Sequence, residues 1–407
     1  MEKQKQSVTK NMGFTGAFAV ACVLFGSHAG GGFATGNQAT QYYVQYGWTA
    51  PIMAVVAMAL LTLTIKECMI MYNSRGLKSY KELFQTLYHP FDKLSFLFDI
   101  YFYTMVLCAV GAVVAGAASL LNRTYGIPYV YAVLTVGALL LAMTIFGATM
   151  VSRASTVMSI GILVSCGIIF ILGINAKLPE ISNIFAAKPG NENIGRGILN
   201  AFTYAGFQSV VIPTMIACGK SIKNTKEVSR SMMIAFIINS IALVLSIIML
   251  LGWYTEYMQA GETTLPTLYV AGQLGKSYVF WAYNICLFLC FISTGVTTIY
   301  GFVEKFEKSK VLAGVNNVII RRIAVSSFIM ILSMGISMVG LDSIIKYGYG
   351  YMGYLGIVII IVPFLTVGVY KNRKFLKEKK THQVWLLKRL PLQMEQNINN
   401  LIKVKIK

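Results

Sequence analysis

Long runs of apolar residues, almost free of charge, dominate the chain and limit what it can fold into. We identify ten such runs, at 13–45, 47–70, 94–121, 127–147, 154–174, 197–219, 231–253, 277–303, 323–340 and 343–370. Each is long enough to cross about 30 Å of hydrocarbon as a helix, which satisfies its own backbone polar groups. The sequence therefore predicts an all-α polytopic membrane protein with ten transmembrane helices, embedded in the lipid bilayer.

The low content of charged residues excludes most soluble classes of protein. Charged residues make up 12% of the 407 residues, whereas a soluble domain carries about 25%. So little charge cannot cover a globule that faces water. Soluble enzymes, nucleic-acid-binding modules and disordered chains therefore fit poorly, and we expect no nucleic-acid partner despite the net charge of +20.

The basic residues are concentrated on one side of the predicted spans. With the N-terminus inside, most of the 35 lysines and arginines fall in the leader, in the segments after even-numbered spans and in the tail. The opposite loops carry only Arg123, Lys177, Lys188, Arg196 and Lys276. Because positive charge is retained on the cytoplasmic side, we expect a multi-pass protein of the plasma (inner) membrane with both termini in the cytoplasm.

The last segment of the chain, 371–407, alternates basic and apolar residues. This pattern is typical of an amphipathic segment that lies on anionic lipid. A solvated basic tail is the alternative, and the sequence leaves both open. We treat 371–407 as a basic amphipathic cytoplasmic tail and 1–12 as the cytoplasmic N-terminus.

The first apolar run is too long and too rich in glycine for one straight helix. As a single helix it would measure about 50 Å, and it contains five glycines between Gly26 and Gly36. We predict two half-helices joined by an unwound segment, which must line a wet cavity enclosed by protein. One alternative is close helix packing through small residues. Another is a signal peptide cleaved after Ala29.

The sixth run has a polar centre in a matching place, followed by Pro213. Spans one to five (13–174) and six to ten (197–370) have similar lengths, and five spans reverse the direction of the chain. The second repeat is therefore inverted relative to the first. This pattern predicts a 5+5 inverted repeat with discontinuous helices 1 and 6, an arrangement typical of secondary transporters.

The two interruptions provide the candidate substrate-binding residues. They are Ser27, His28, Ala29, Gly30, Gly31 and Gly32 in the first span, and Tyr204, Gly206, Gln208 and Ser209 in the sixth. Free amides of half-helices can bind a carboxylate, and free carbonyls can bind a cation or an ammonium group. His28 could shuttle a proton or orient substrate, or it could simply bond to a free carbonyl of the break.

The stretch from Gly31 to Gly36, in a broken first span, resembles a bacterial family of predicted amino-acid permeases. This family belongs to the amino acid–polyamine–organocation superfamily, and its resemblance implies the LeuT-type fold and amino-acid transport. The family stretch usually continues Gln-Glu, whereas this chain has Asn37-Gln38. The missing acid removes one carboxylate that could couple an ion at this point.

Hydroxyl pairs in the eighth span suggest an ion site. In sodium-coupled proteins of this fold, eighth-span hydroxyls and first-span carbonyls together hold sodium. The corresponding residues here are Ser293, Thr294, Thr297 and Thr298, although such hydroxyls often bond back to their own helix. The fifth span lacks the lysine that proton-driven relatives often carry, which favours Na⁺ over H⁺. We expect no other cofactor and no resident metal.

Two acidic residues inside spans and one long external segment are further candidates for a function. Asp99, in the third span, is either a gate or coupling acid or an anchor near the interface. Asp342 and Lys346 are spaced to pair within the tenth span. The segment 254–276 looks amphipathic and could form an external lid.

The sequence favours a cation-coupled importer of a small zwitterionic solute, of the amino-acid class. The alternative is a membrane amino-acid sensor that uses the same fold without transport. We do not expect an enzyme. Ser27 and His28 would diverge on a helix, and no other histidine falls in a span, so the chain offers no catalytic pair.

Overall fold

The computed structural model describes residues 14–28, 30–188, 193–219, 222, 224–306, 314–315 and 317–381. These residues form helices and connecting turns, without a strand among them. The helices are α1 (Phe14–His28), α2 (Gly31–Ala34), α3 (Asn37–Tyr42), α4 (Ala50–Arg75), α5 (Tyr80–Tyr88), α6 (Phe96–Tyr125), α7 (Tyr129–Ala142), α8 (Ala148–Ala176), α9 (Leu178–Ala187), α10 (Ile194–Gln208), α11 (Ile212–Cys218), α12 (Thr225–Gln259), α13 (Pro266–Gln273), α14 (Ser277–Phe306), α15 (Val318–Ser337) and α16 (Leu341–Thr381).

The helices are those of a multi-pass membrane protein, which confirms the all-α class. In the described part of the chain, eight are long and apolar enough to cross a bilayer: Val44–Arg75, Asp92–Tyr125, Tyr129–Phe146, Ile194–Cys218, Thr225–Gln259, Ser277–Val303, Val318–Ser337 and Leu341–Thr381. Ile160–Ala176 and Leu178–Ala187 form a pair bent by 73°, and Gly16–His28 is a shorter apolar helix. Every predicted run thus coincides with helix, while the count of ten spans stays a prediction.

The first span consists of three helical pieces over its described residues. α1 ends at His28, and Gly30 then has an extended ψ of −179°. α2 follows for four residues, and Gly36, with φ of +80°, separates it from α3. Such a positive φ is readily adopted only by glycine. The glycines of the first run therefore coincide with changes in the direction of the chain.

The sixth span departs from its prediction. The backbone angles at the junctions between α10, the 3₁₀ turn Ser209–Val211 and α11 are all right-handed helical. Pro213 lies in the first positions of α11, which is where proline is best tolerated in a helical piece. The predicted unwound segment is therefore replaced by one tightened helical turn, and helix 6 is not discontinuous in this conformation.

The predicted boundary of the tail at residue 371 does not coincide with a break in the structure. α16 continues through it to Thr381 and includes three π-helical segments. The Lys371 ammonium group donates hydrogen bonds to the carbonyls of Thr86, Leu87 and His89, at the end of α5. This is a favourable position for a cation. The N-terminal residues 1–13 and the tail residues 382–407 lie outside the described residues. The prediction that the tail binds lipid concerns mostly these residues and stays a prediction.

The packing places the first-span break among several spans. α1 packs against α11 and α12, and α2 packs against α6 and α14. Spans six and ten approach closely through glycines. A Cβ on Gly206 would lie 2.2 Å from the carbonyl oxygen of Gly353, and a Cβ on Gly356 would lie 2.5 Å from that of Gly206. Small residues are the usual way to bring membrane helices into backbone contact.

We expect Gly206→Ala to lower the melting temperature of the detergent-purified protein, because the added methyl group would overlap the backbone of α16. Overpacking of this kind typically costs about 1–3 kcal/mol. Gly335→Ala in α15 is the matched control, since nothing lies within 4 Å of its added Cβ. Equal melting temperatures for the two variants would contradict the close approach of spans six and ten.

Candidate functional site

His28 lies at the centre of a buried polar network at the end of α1. Its Nδ1 is 2.8 Å from Asn239 Oδ1, and its Nε2 is 2.7 Å from the Tyr204 hydroxyl. All three side chains are buried. The histidine therefore joins the first, sixth and seventh spans through side chains, rather than bonding to a free carbonyl of the break.

The partners of Asn239 define the direction of these hydrogen bonds. The Asn239 amide nitrogen donates to the carbonyl of Ala235, at 2.7 Å, so its oxygen faces His28 as an acceptor. His28 Nδ1 therefore carries a proton. In the neutral imidazole Nε2 is then an acceptor. The Tyr204 hydroxyl thus faces two acceptors, His28 Nε2 and Gln38 Oε1, and its single proton can be donated to only one of them at a time. Both ring nitrogens are occupied, which fixes the orientation of the ring.

Two glutamines extend the network. Gln38 Oε1 lies 3.1 Å from the Tyr204 hydroxyl and 3.4 Å from Gln208 Nε2. Gln38 and Gln208 are both buried. Three spans, the first, sixth and seventh, thus contribute to one polar cluster when Asn239 is included, although the distance from Gln38 Oε1 to Gln208 Nε2 is near the limit for a hydrogen bond.

Sequence reasoning missed two members of this network, Asn239 and Gln38, as site residues. Asn239 lies in the middle of the apolar run 231–253, and Gln38 lies within the first run. An isolated polar residue inside a transmembrane run is itself a signal of function. That signal could have identified Asn239, but only tertiary contact shows that both residues meet Tyr204 or His28.

The remaining candidates in the two interruptions have different surroundings. Ser27 and Ser209 donate to carbonyls of their own helices, those of Val23 and Ala205. Gly206 packs on α16, and its carbonyl accepts a hydrogen bond from Tyr101 at 2.6 Å. These contacts give the three residues structural roles in this conformation. Ala29 lies outside the described residues.

The three glycines of the break face three different side chains. Cβ atoms on Gly30, Gly31 and Gly32 would lie 3.6 Å from Thr294 Cγ2, 2.3 Å from the ring of Phe291 and 2.4 Å from Gln38 Nε2. An added side chain would fit at Gly30 but would collide at Gly31 and Gly32. The absence of side chains therefore lets other spans approach the backbone of the break.

Of the eighth-span hydroxyls, Thr294 lies beside the break. Its Oγ1 would be 3.8 Å from a Cβ on Gly30. Thr297 donates to the carbonyls of Ser293 and Thr294 within its own helix, as the alternative interpretation of these residues anticipates. Thr294 also has a hydrogen bond within this helix, to the side chain of Cys290. Ser293 is buried, and Thr298 is half-buried on the same helix. The four residues are thus not equivalent.

The acidic candidates belong to other parts of the molecule. Asp99 accepts a hydrogen bond from Tyr80 of α5 at 2.9 Å. The predicted pairing of Asp342 with Lys346 is wrong. Asp342 instead accepts hydrogen bonds from the Asn37 amide and from the hydroxyls of Thr263 and Thr264, at 2.8 and 3.0 Å for the hydroxyls.

The segment predicted as a lid contacts the second part of the first span. The backbone N–H of Thr267, in α13, donates to the carbonyl of Thr35 at 3.0 Å. Asp342 ties the residues that precede α13 to Asn37, at the start of α3. The segment 254–276 is therefore in contact with Thr35, with α3 and with the start of α16 in this conformation.

Comparison with known proteins shows the fold. The chain is similar to the structure of MhsT in complex with L-phenylalanine, with 15% identity, a TM-score of 0.62 and coverage of 86% of this chain and 88% of that one. A Na⁺-coupled sialic acid symporter in a substrate-bound outward-open state has 14% identity, a TM-score of 0.60 and coverage of 84% and 78%. A mutant of the Eremococcus coleocola manganese transporter has 12% identity, a TM-score of 0.50 and coverage of 94% and 97%.

These similarities show that the chain has the LeuT-type fold. No protein-family model and no curated protein sequence matches the chain. Membership of the amino acid–polyamine–organocation superfamily therefore stays a prediction from the stretch Gly31–Gly36.

We expect His28→Ala to lower the free energy of unfolding by about 1–3 kcal/mol or more, because it leaves buried partners unsatisfied. Tyr204→Phe removes one of the same hydrogen bonds. The double variant should therefore cost less than the sum of the single variants. Thermal unfolding of the three purified variants measures this coupling. Strict additivity would contradict a direct bond between His28 and Tyr204.

Proposed function

We propose that this protein is a secondary active transporter that imports a small zwitterionic solute, of the amino-acid class, by cation-coupled alternating access. The observation that carries the proposal is the buried His28–Tyr204–Gln38 cluster beside the first-span break. Buried polar groups at membrane depth are costly, and they usually mark a pathway for substrate or ions. Here they adjoin irregular backbone, which membrane proteins tolerate where it is enclosed by protein or lines a cavity.

The chemistry of the break suits a zwitterion. The backbone between His28 and Gly31 offers carbonyls at the end of α1 and amides at the start of α2, and side chains of Tyr204 and Gln38 add donors and acceptors. A carboxylate requires donors and an ammonium group requires acceptors. We propose that Ser27 to Gly32, with Tyr204, Gly206, Gln208 and Ser209, surround the substrate during the transport cycle, and that Gln38 and Asn239 support them.

The coupling ion in this proposal is sodium rather than a proton. Thr294 provides a hydroxyl oxygen next to Gly30, and the last turn of α1 provides carbonyl oxygens. Oxygen ligands of this kind suit a hard cation. The neighbours of Thr294 on α14 complete the proposed set of ion-coupling hydroxyls; they are Ser293, Thr297 and Thr298. The Thr297 hydroxyl donates to the backbone of the helix in this conformation. In this proposal Asp99 takes part in ion coupling without binding this ion, because it lies at the junction of α6 with α5.

Alternating access requires that the site be covered from each side in turn. The segment that includes α13 is the proposed external cover, because it contacts the part of the first span that follows the break. The solved structures similar in fold include a complex with L-phenylalanine and a Na⁺-coupled symporter of sialic acid. Both named solutes carry a carboxylate, as the proposed substrate does.

Uptake by reconstituted protein tests the proposal. Purified protein in proteoliposomes is given a panel of labelled amino acids, with sodium and proton gradients imposed separately. We expect accumulation of at least one amino acid that depends on the inward sodium gradient. Accumulation that depends on neither gradient would contradict cation coupling. Binding of an amino acid without any uptake would favour the alternative of a membrane sensor.

Matched variants of α14 test the proposed ion site. We expect Thr294→Val to lower the affinity for sodium, measured through amino-acid binding, about tenfold, which corresponds to about 1.4 kcal/mol. The reason is that the substitution removes an oxygen beside the break. Thr297→Val is the control, since its hydroxyl bonds within its own helix. Sodium titration of substrate binding measures both. An equal effect of the two substitutions would contradict the assignment of Thr294.

A further inference from the structure

A cavity of about 450 Å³ lies where α4, α5 and α16 meet, apart from the first-span break. Its volume is within the range of about 300–1,000 Å³ that is usual for the sites of small-molecule ligands. The distribution of basic residues predicts that this end of the molecule faces the cytoplasm. The proposed transport cycle does not use the cavity, so its lining requires a separate explanation.

Two basic side chains, Arg75 at the end of α4 and Lys371 in α16, form a basic pair in the wall of this cavity. The Arg75 guanidinium donates to the carbonyl of Lys371 at 3.0 Å and to the side-chain oxygen of Asn372 at 2.8 Å. It also donates to the hydroxyl of Ser74 at 3.3 Å and lies over the ring of Phe375. The Lys371 ammonium group donates to three backbone carbonyls at the end of α5. All of these acceptors are uncharged.

The basic pair therefore has no negative charge among its hydrogen-bond partners. Both side chains are half-buried, and within the described part of the chain neither forms an ion pair with a carboxylate. Partly buried charges that lack a counter-charge raise the free energy of the folded state. Lys374, which is exposed on α16, adds a third positive charge to the lining. An anion in the cavity would lower the cost of this arrangement.

Three carboxylates also line the cavity, and two of them have donors of their own. Glu82 accepts a hydrogen bond from the backbone N–H of Lys78 at 2.9 Å, at the start of α5. The carboxylate of Asp92 is 3.1 Å from His89 Nδ1. The third, Glu378, is exposed on α16. Glu82 and Asp92 are therefore bound to groups other than the basic pair.

Apolar side chains next to the cavity indicate that it lies at the level of the membrane surface. Phe91 and Leu94, which follow α5, are exposed, and so is Tyr370, the residue before Lys371. Aromatic side chains are enriched at the boundary between hydrocarbon and water, where lipid head groups lie. Phosphate groups of lipids are therefore among the anions that can reach the basic pair.

We propose that this cavity binds a phosphate group, which is presented by an anionic phospholipid of the cytoplasmic leaflet or is free as inorganic phosphate. Arg75 contacts the phosphate oxygens through the N–H donors that the bonds above do not use, and Lys374 contacts them as a point charge. Lys371, whose N–H donors are all used, contributes its charge. The bound anion holds α16 against α4 and α5. This inference does not depend on the proposed function.

Thermal unfolding of the full-length, delipidated protein in detergent tests the proposal. Dioleoyl phosphatidylglycerol is titrated into the micelles, and dioleoyl phosphatidylcholine is the control without net charge. Inorganic phosphate is titrated separately, against chloride at equal ionic strength. We expect a saturable rise in melting temperature with an anionic phosphate. A rise with phosphatidylglycerol that inorganic phosphate does not reproduce identifies a lipid as the source, and an equal rise with inorganic phosphate identifies the free anion.

Charge variants of the lining locate the site. We expect Lys374→Gln to raise the half-saturating concentration of the stabilising anion about fivefold, the effect of one basic side chain near a charged lipid surface. Arg75→Gln should raise it further, and Glu378→Gln should lower it, because it removes a negative charge from the lining. Lys380→Gln, exposed on the same helix and outside the lining, is the matched control and should leave it unchanged.

Three results would overturn the proposal. They are the absence of stabilisation by either anion, equal stabilisation by the two lipids without any effect of inorganic phosphate, and equal effects of Lys374→Gln and Lys380→Gln. Arg75 also joins α4 to α16, so its variant can fail to fold. The exposed Lys374 keeps the test decisive in that case.

Discussion

The bilayer interior offers no hydrogen-bond partner to a broken helix, and much of this molecule follows from that constraint. The first span ends one helix at His28 and begins another at Gly31. The backbone between them must be enclosed by protein. Spans three, six, seven and eight provide the enclosure, and they do so with both polar and apolar contacts. His28 is hydrogen-bonded to side chains of spans six and seven, while the ring of Phe291 fills the space towards span three.

Glycine has two distinct uses around this enclosure. At Gly36 it permits a positive φ where the first span changes direction. At Gly31, Gly116 and Gly206 it instead leaves room for another group to approach, either a ring or a neighbouring backbone. The second use explains why Gly206 packs against the tenth span in this conformation. It also shows why a glycine within a polar stretch of sequence is ambiguous between a binding role and a packing role.

Sequence reasoning was most successful where a single local property decides the structure. Apolar runs predicted the helices because a membrane-spanning segment must satisfy its own backbone. The glycines of the first run indicate its interruption, and His28 stands out as a candidate because ionisable groups inside spans are rare. It failed for the sixth span, where Pro213 begins a helical piece and interrupts none. It also failed for Asp342, since spacing along one helix suggested Lys346 while the actual partners come from Asn37, Thr263 and Thr264.

The order of residues along the chain is enough to establish that the chain is helical, that it belongs in a membrane and that its first span cannot be one regular helix. These properties follow from hydrophobicity and backbone conformation, which are local. The packing of distant helices, in contrast, makes Asn239 and Tyr204 the partners of His28, lets Gln38 extend this cluster and brings Thr294, not Thr297, beside the break. Those contacts join residues up to 264 positions apart, between Gly30 and Thr294, and no local pattern encodes which faces of distant helices will meet.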